Sequence, residues 1–369
     1  MQETEKLRAI VLGVGRMGTA IAYAMDKFGF DVIGMDTNPD AANNMPGGNK
    51  NFFIVDNVED IFAGIIANGP RPDIVISSLP YHQTEEVGHW CVNNEVRYCD
   101  LGGRVDVSEA INEWANKKAT RPVFTDLGLA PGWVNILAER GCKQIHRSAE
   151  KVSMMVGGLP AMPTNPPFNY AVTWSIDGLI NEYKDDCLVL EDGEIKTVAG
   201  MEGKEKVYSK LLDQDMEAFY TSGGASHSIP DLQKRGIKNC TYKTLRYEGH
   251  RDVVKFLIRK SGLTEECLVN VFKKGCAKST GAIVLIKASV EAGDVTWSKE
   301  IIVGYDTKFS AMQKATAFSI SSVAKIMAEG YFDERLIEYR GYKEKMPVVL
   351  KYSDVPYEKF EKNLSDLGL

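Results

Sequence analysis

The chain has 369 residues, of which 44% are hydrophobic and 25% charged, and a formal net charge of −6. This composition is ordinary for a globular protein of about two domains, and the net charge argues against a nucleic-acid partner. No apolar run approaches the ~18–20 residues of a membrane span, and the polar first residues lack the apolar core of a signal peptide. We therefore expect a cytoplasmic protein without a membrane partner.

The seven cysteines are scattered along the chain and form no C-x-x-C pair. An odd number without paired spacing argues against a disulfide framework or a zinc site. We expect free thiols in a reducing compartment and no bound metal.

The first third of the chain alternates between strand and helix patterns. A short apolar strand ends before Gly13, and a second ends at Asp36. Further strands are predicted over 51–56, 73–78, 96–101 and 122–127. Helices are predicted over 17–28, 58–68 and 84–94, with a fourth capped by Ser108. Parallel neighbours need crossover connections, so this alternation predicts an N-terminal Rossmann domain, an α/β fold with a doubly wound parallel sheet.

A glycine-rich turn joins the first strand to the first helix. Gly13, Gly15 and Gly18 follow the G-x-G-x-x-G spacing, with Arg16 and Met17 inside it, and Asp36 ends the next strand. This context is typical of a dinucleotide site, where the helix N-terminus holds the pyrophosphate and the acid binds the ribose. Because Asp36 would repel a 2′-phosphate, we expect NAD as the cofactor, with NADP possible.

Ligands of such sheets lie beyond the carboxyl ends of the strands. That rule places several short segments along one rim: Asp36, Asp56, 78–82, 98–103 and 126–128. From these segments and the turn after Asp36 we predict further cofactor-binding residues: Thr37, Asp56, Ser78, Leu79, Pro80 and Gly102.

After residue 128 the pattern changes to that of an α+β domain. A helix is predicted over 133–140, strands over 151–156 and 240–247, hairpins over 187–198 and 283–303, and a long helix over 309–329. We expect a second α+β domain with an open mixed or antiparallel sheet. The predicted domains are 1–130 for dinucleotide binding, 131–308 as the second domain, and 309–369 as a C-terminal helical segment returning to the first domain. The hairpin near Gly293 could supply an edge for a homodimer.

Four stretches in the second part of the chain carry a resemblance to a known family. They are Asp126-Leu-Gly-x-Ala-Pro-Gly-x-x-Asn135, Val156-Gly-Gly-x-Pro160, Glu217-Ala-Phe-Tyr-Thr-Ser-Gly-Gly224 and Tyr242-Lys-Thr-x-Arg246-Tyr-x-Gly-His250. From the glycine turn to Glu329 the chain resembles the saccharopine dehydrogenase-like oxidoreductases. The resemblance implies NAD(P)-linked amine chemistry on an amino-acid substrate, with substrate binding and dimerisation carried by the second domain, 131–308. Within the family the motifs are most similar to those of enzymes that oxidise the ε-amine of L-lysine.

Oxidation of an amine requires a proton acceptor, because an ammonium group, with a pKa of ~10.4, cannot give up a hydride. We predict Asp126, at the end of the sixth strand, as this base. Its alternative role is to cap the helix that begins near Gly132. His82 and Tyr98 are further candidate proton carriers.

A carboxylate is bound well by two parallel N–H donors in one plane, and the guanidinium group of Arg246 has this geometry. We group with it the candidate substrate-binding residues of the same stretches: Gly157, Gly158, Ser222, Gly223, Gly224 and His250. Backbone N–H groups of such glycine loops can hold an anion.

Three other functions remain open from the sequence. A saccharopine reductase would use the same imine chemistry on a substrate with more carboxylates, for which Arg104, Arg235 and Arg251 are candidate extra clamps. Another dehydrogenase of carboxylated amines would share most of these residues. A dinucleotide-binding sensor or scaffold would keep the glycine turn without a need for Asp126 and Arg246.

Overall fold

The computed structural model describes residues 6–67, 71–276, 281–333 and 348–369. The chain divides into two compact units, one of Met1–Gly132 with Thr316–Leu369 and the other of Trp133–Ala315. We call them the first unit and the second unit. The predicted helix end at 68–70 lies outside the described residues. The domain roles assigned to 1–130, 131–308 and 309–369 stay predictions.

In the first unit, the described residues form a parallel sheet of six strands in the order β3-β2-β1-β4-β5-β6. The strands are β1 (Arg8–Leu12), β2 (Asp31–Asp36), β3 (Phe52–Ile54), β4 (Ile74–Ser77), β5 (Arg97–Asp100) and β6 (Val123–Phe124). The helices between them are α1 (Arg16–Lys27), α2 (Val58–Ala67), α3 (Tyr81–Asn93) and α4 (Val105–Lys118). This order reverses between β1 and β4, which confirms the predicted doubly wound Rossmann sheet.

The apolar runs of the central strands explain why this sheet is buried. Every residue of β4 is buried, as are four of the five residues of β1. Strands covered by helices on both faces carry such continuous apolar sequences. Their side chains, among them Ile10, Leu12 and Val75, join the helices in one hydrophobic core.

In the second unit, the described residues form a mixed sheet of eight strands. Its main path is β10-β11-β12-β7-β13-β14, and β8 pairs with both β12 and β9. The strands are β7 (Lys151–Pro160), β8 (Cys187–Glu191), β9 (Glu194–Val198), β10 (Glu205–Ser209), β11 (Gln214–Tyr220), β12 (Asn239–Tyr247), β13 (Ala282–Ala292) and β14 (Val295–Gly304). The helices are α5 (Trp133–Gln144), α6 (Ile176–Lys184), α7 (Ser228–Lys234), α8 (His250–Arg259) and α9 (Glu265–Gly275). The predicted α+β domain with a mixed sheet is confirmed.

Two helices complete the description. The long helix α10 (Ala311–Ala328) begins at the end of the second unit, and most of it clusters with the first unit, as does α11 (Tyr357–Asp366). No helix among the described residues combines the length and apolarity that a membrane crossing needs. The strand β14 ends the described sheet order, and the homodimer expected at this edge stays a prediction.

The structure corrects the sequence analysis at three places. The strand expected over 151–156 continues through Pro160, because the residues from Gly157 onward pair with β13. The β10–β11 hairpin has no counterpart in the sequence prediction, since β10 is short and largely polar. Ser108 does not cap α4, which begins at Val105 and places this hydroxyl in its first turn.

Candidate functional site

The glycine turn after β1 has the shape of a phosphate cradle. Gly13 has a φ of +78°, which favours glycine, and its N–H donates to the carbonyl of Met35 at 2.8 Å. A Cβ on Gly18 would lie 1.8 Å from the Gly13 oxygen, so α1 can approach the turn only because residue 18 has no side chain. A Cβ on Gly15 would meet nothing within 4 Å, which leaves open space at the N-terminus of α1. The turn therefore fits the pyrophosphate of a dinucleotide.

The carboxylate of Asp36 is oriented by two backbone N–H groups. Oδ2 accepts a hydrogen bond from Val14 at 2.6 Å, and Oδ1 accepts one from Asn38 at 2.8 Å. Asp36 is half-buried at the end of β2, beside the exposed Thr37. This fixed, accessible acid fits a ribose diol, as the sequence analysis expects.

The other predicted cofactor residues follow the strands or begin the helices of the first unit. The Ser78 hydroxyl donates to the Gly13 carbonyl at 2.5 Å and so ties the end of β4 to the glycine turn. Their positions in the fold are as follows: Arg16 and Met17 begin α1, Asp56 is exposed after β3, Leu79 and Pro80 precede α3, and Gly102 follows β5.

Two buried carboxyl groups lie together at the ends of β5 and β6. Asp100 Oδ1 accepts hydrogen bonds from the N–H groups of Gly102 at 2.8 Å and Asp126 at 3.0 Å. Asp126 is 2% exposed and accepts a hydrogen bond from the Ser108 hydroxyl at 2.7 Å. Its φ of +62° is one that aspartate tolerates better than most residues. A side chain on Gly102 would collide with Asp126 Oδ1, so the backbone of residue 102 lies directly against this carboxyl group.

Burial and the neighbouring charge of Asp126 raise the pKa of Asp100 to about 7, although the backbone donors of Asp126 and Gly102 work in the opposite direction. Two like charges cannot both ionise cheaply in a site that excludes water. The carboxyl group of Asp100 can therefore take up or release a proton near neutral pH.

The two backup proton carriers occupy different surroundings. Tyr98 is fully buried in the core of the first unit, and its hydroxyl donates to the Thr84 carbonyl at 3.4 Å. Burial, together with the charge of Asp100, raises the pKa of Tyr98 well above the ordinary value, so its hydroxyl gives up a proton less readily than a free tyrosine. His82 is exposed near the start of α3, with its ring edge-on to Tyr81, and its role as a proton carrier stays a prediction.

In the second unit, Arg246 is a buried cation that forms no ion pair with a described carboxylate. The residue is 3% exposed on β12, and its guanidinium lies over the rings of Tyr170 at 4.8 Å and Tyr183 at 5.7 Å. Its Nε donates to the Tyr183 hydroxyl and its Nη1 to the Leu245 carbonyl, both at 2.8 Å. Within the described residues, no carboxylate lies within ion-pair distance of this guanidinium.

His250 orients the Tyr183 hydroxyl, which in turn accepts a hydrogen bond from Arg246. Its Nδ1 lies 2.8 Å from the Phe168 carbonyl, which can only accept, so Nδ1 carries the proton. Burial, and then the charge of Arg246, lowers the pKa of His250 to about 3, so the ring is neutral and Nε2 accepts from the Tyr183 hydroxyl at 3.0 Å. The hydroxyl oxygen of Tyr183 is then directed to accept from Arg246. His250 is fully buried and acts through Tyr183 in this chain of hydrogen bonds.

The predicted glycine residues of the second unit fall into two groups. Gly157 and Gly158 are buried inside β7, where a Cβ on Gly157 would meet the Leu245 carbonyl and one on Gly158 would meet Thr173. Ser222 donates its N–H to the Glu182 carbonyl at 3.0 Å, and this hydrogen bond holds the loop with Gly223 and Gly224 against α6. We expect the loop, rather than the strand glycines, to remain accessible, since Ser222 is half-buried and Gly223 is exposed.

The sequence predicts Asp100 at the carboxyl edge of the parallel sheet but gives it no role. The sequence does not indicate that Tyr170 and Tyr183 contact Arg246. An acid at the end of β5, one strand from Asp126, was a usable signal for Asp100, because adjacent parallel strands end side by side. No spacing rule connects Tyr183 to Arg246, which are 63 residues apart in sequence.

The sheet order, the glycine cradle and the oriented Asp36 define the class of this protein as an oxidoreductase that binds a nicotinamide dinucleotide. Residues 9–124 match the family model of the saccharopine dehydrogenase NADP binding domain, and residues 128–346 match that of the saccharopine dehydrogenase C-terminal domain. The chain belongs to the saccharopine dehydrogenase family.

One solved structure agrees with this fold. The apo saccharopine dehydrogenase (L-Glu forming) of Saccharomyces cerevisiae matches with a TM-score of 0.69 and 15% identity, and 98% of each chain is covered. The DAP dehydrogenase of C. glutamicum in complex with DAP matches at 0.46 with 9% identity, over 97% of this chain and 96% of the other. The myo-inositol dehydrogenase of Corynebacterium glutamicum matches at 0.44 with 10% identity, over 98% and 94%. The two lower scores carry no functional conclusion.

Proposed function

We propose that the protein is an NAD-dependent L-lysine 6-dehydrogenase, which oxidises the ε-amine of lysine to the 6-semialdehyde with release of ammonia. Family membership supports an NAD(P)-linked oxidoreductase that acts on amino-acid-derived C–N bonds. The choice of lysine rests on the resemblance of the sequence motifs and on the charges in the second unit.

The observation that carries this proposal is the unpaired charge of Arg246. A guanidinium stays protonated when buried, and a buried charge without an ionic partner is costly. The direct contacts of Arg246 are with a hydroxyl, a carbonyl and two aromatic rings, and Glu182, which interacts with it electrostatically, forms no ion pair with it. A substrate carboxylate supplies the missing anion and matches the fork geometry of the donors.

The carboxyl groups of Asp100 and Asp126 in the first unit support the proton-transfer step of the reaction. The ε-ammonium group must lose a proton before its carbon can lose a hydride, and Asp126 is the proposed acceptor. Asp100, whose pKa is raised to about 7, would take up a proton beside it between turnovers, and the Ser108 hydroxyl fixes the orientation of Asp126. Water then adds to the C=N bond, ammonia leaves, and the free α-amine closes on the aldehyde to give piperideine-6-carboxylate.

The proposed cofactor residues are those of the glycine turn together with Asp36. When bound there, a nicotinamide dinucleotide supplies the hydride acceptor. The fixed carboxylate of Asp36 favours the ribose diol of NAD over the 2′-phosphate of NADP, although the matching family model is that of an NADP binding domain.

A saccharopine reductase is the alternative, favoured by the 0.69 TM-score to a protein of that activity. Such a substrate carries additional carboxylates, which would need additional cations. The three other candidate arginines already contact carboxylates: Arg104 contacts Asp106, Arg235 contacts Glu139, and Arg251 contacts Asp252 and Glu202. Only Arg246 among these four has no described carboxylate partner, which supports a substrate with a single clamped carboxylate.

A direct assay separates these functions. Purified protein is incubated with NAD and L-lysine at mildly alkaline pH while reduced cofactor and ammonia are measured. Equal production of both, without glutamate, supports lysine oxidation. Oxidation of a reduced cofactor that requires both glutamate and an aldehyde would instead establish the reductase.

A further inference from the structure

The geometry points to Glu182 as the residue that binds the α-ammonium group of the substrate, so that Glu182 and Arg246 together recognise the zwitterionic head of an L-α-amino acid. This inference rests on the proposed function, because it assigns a second charged contact to the same substrate. It also separates amino acids from simple ω-amino acids, which carry a carboxylate without a neighbouring ammonium.

Glu182 lies on α6 immediately before Tyr183, the tyrosine that accepts the hydrogen bond from Arg246. Its carboxylate is close enough to interact electrostatically with Arg246, Tyr170 and Tyr242. Its backbone carbonyl accepts the hydrogen bond from the loop at Ser222. Glu182 therefore belongs to the same cluster as Arg246, although the sequence analysis gave it no role.

The carboxylate of Glu182 has no described ionic partner. Within the described residues no lysine, arginine or histidine lies within 4.0 Å of it, and Arg246 itself is beyond that distance. Burial raises the pKa of Glu182 to about 7, while the charge of Arg246 acts in the opposite direction. The residue as a whole is half-buried, whereas its carboxyl group is enclosed by the surrounding side chains.

Glu182 and Arg246 interact electrostatically and form no ion pair with each other. A ligand that bridges them would need a carboxylate for Arg246 and, on the adjacent atom, a positive group for Glu182. The α-carboxylate and α-ammonium groups of an amino acid have this arrangement. A bound ammonium would also stabilise the ionised form of Glu182, since an opposite charge favours ionisation.

Binding measurements with two matched ligands test the inference without depending on oxidation. L-norleucine has both head groups and the six-carbon chain of lysine but no ε-amine, whereas hexanoate has only the carboxylate. We expect calorimetry with the wild-type protein to show tighter binding of norleucine by about 10- to 100-fold, the range of one charge-assisted contact. The Glu182→Gln variant should lose this preference and keep its affinity for hexanoate. Asp177→Asn, an exposed acid on α6, is the control and should keep the preference.

Each outcome decides the inference. An unchanged preference in Glu182→Gln, or an equal loss of affinity for norleucine and hexanoate, would overturn it. If the wild-type protein binds norleucine through Glu182 yet does not oxidise L-lysine, the head-group site stands and lysine oxidation fails. If it oxidises L-lysine and 6-aminohexanoate equally well, the lysine proposal survives and the role of Glu182 is wrong.

Discussion

The two units differ in whether their buried charged groups can change protonation state. In the first unit, burial and the charge of Asp126 raise the pKa of Asp100 to about 7, so the repulsion can be relieved by protonating Asp100. In the second unit, Arg246 is a buried cation that has no ion pair among the described residues and cannot give up its proton at any ordinary pH. The first arrangement suits proton transfer, because its protonation state can change. The second suits recognition, because its charge is permanent and its balance must come from a ligand.

This comparison predicts different kinetic signatures for the two regions. Loss of the titratable pair should change the chemical step, whereas loss of the permanent cation should change binding. The following changes test that division, from the largest expected effect to the smallest.

Asp126→Asn removes the proposed proton acceptor while preserving the size and most hydrogen bonds of the side chain. We expect kcat for lysine to fall by about 100- to 10,000-fold, with little change in KM, because general-base contributions have this magnitude. Steady-state kinetics with saturating NAD measures both constants. A rise in KM at constant kcat would move Asp126 from catalysis to substrate binding.

Arg246→Met removes the buried cation but keeps an unbranched apolar stem between the two tyrosines. We expect kcat/KM to fall by about 100-fold or more, chiefly through KM, because the substrate carboxylate loses its ionic partner. Arg104→Met is the control, since Arg104 already pairs with Asp106 at the surface. If the control had the larger effect on KM, the carboxylate anchor would belong to the first unit.

Asp100→Asn tests whether Asp100 takes up a proton. The folded-state pKa of about 7 lies above the ~3.9 of an unfolded aspartate, so the folded protein binds more protons between those values. The stability that Asp100 contributes is therefore complete below pH 4 and is lost as the pH rises through 7. We expect the variant to gain about 1–3 kcal/mol in free energy of unfolding, relative to wild type, between pH 4 and pH 8. Urea denaturation across this range measures the difference, and a pH-independent difference would refute proton uptake by Asp100.

Tyr183→Phe breaks the hydrogen-bond chain from His250 to Arg246 and leaves the ring in place. The Nε of Arg246 loses its acceptor, so we expect KM to rise by about 10-fold and kcat to stay within about 2-fold. Tyr247→Phe is a matched control on β12, because its hydroxyl bonds the Pro160 carbonyl and not the guanidinium. Equal effects on KM in both variants would mean that the chain does not position Arg246.

Asp36→Ala should weaken cofactor selection rather than chemistry. Removing the carboxylate abolishes the hydrogen bonds to a ribose diol and the repulsion of a 2′-phosphate. We expect the ratio of kcat/KM for NAD over NADP to fall by about 10-fold, a change of ~1.4 kcal/mol in the relative free energies. An unchanged ratio, measured with both cofactors, would show that another residue sets the preference.

The contrast between the units also marks how far the sequence could predict them. In the first unit, strand, turn and helix follow each other closely, and the catalytic candidates fall at strand ends that a general rule places on one rim. Asp126 could be proposed because it lies near the end of the predicted sixth strand, although β6 itself ends at Phe124. Its partnership with Asp100 depended on the two strands being hydrogen-bonded neighbours, which the order of the sheet decides.

In the second unit, the sequence motif was enough to propose Arg246 as a binding residue. The motif did not indicate that its guanidinium would be buried without an ion pair. Its contacts come from Tyr183, Tyr170 and, through Tyr183, His250, which are brought together by β12, α6, α8 and the loop before α6. Nothing in the local sequence signals that a given tyrosine will face a given arginine. For the same reason Glu182 could not be distinguished from any other helical glutamate.

The sequence by itself determined the elements whose signals are local: the alternating strands and helices, the glycine turn and the acid that follows it. These depend on hydrophobic period, on the absence of a side chain at fixed positions and on short chain connections. Only the tertiary structure decided which charges are buried, which are paired and which are left for a ligand. Burial and pairing depend on residues far apart in the chain, so they exist only once the sheets have formed.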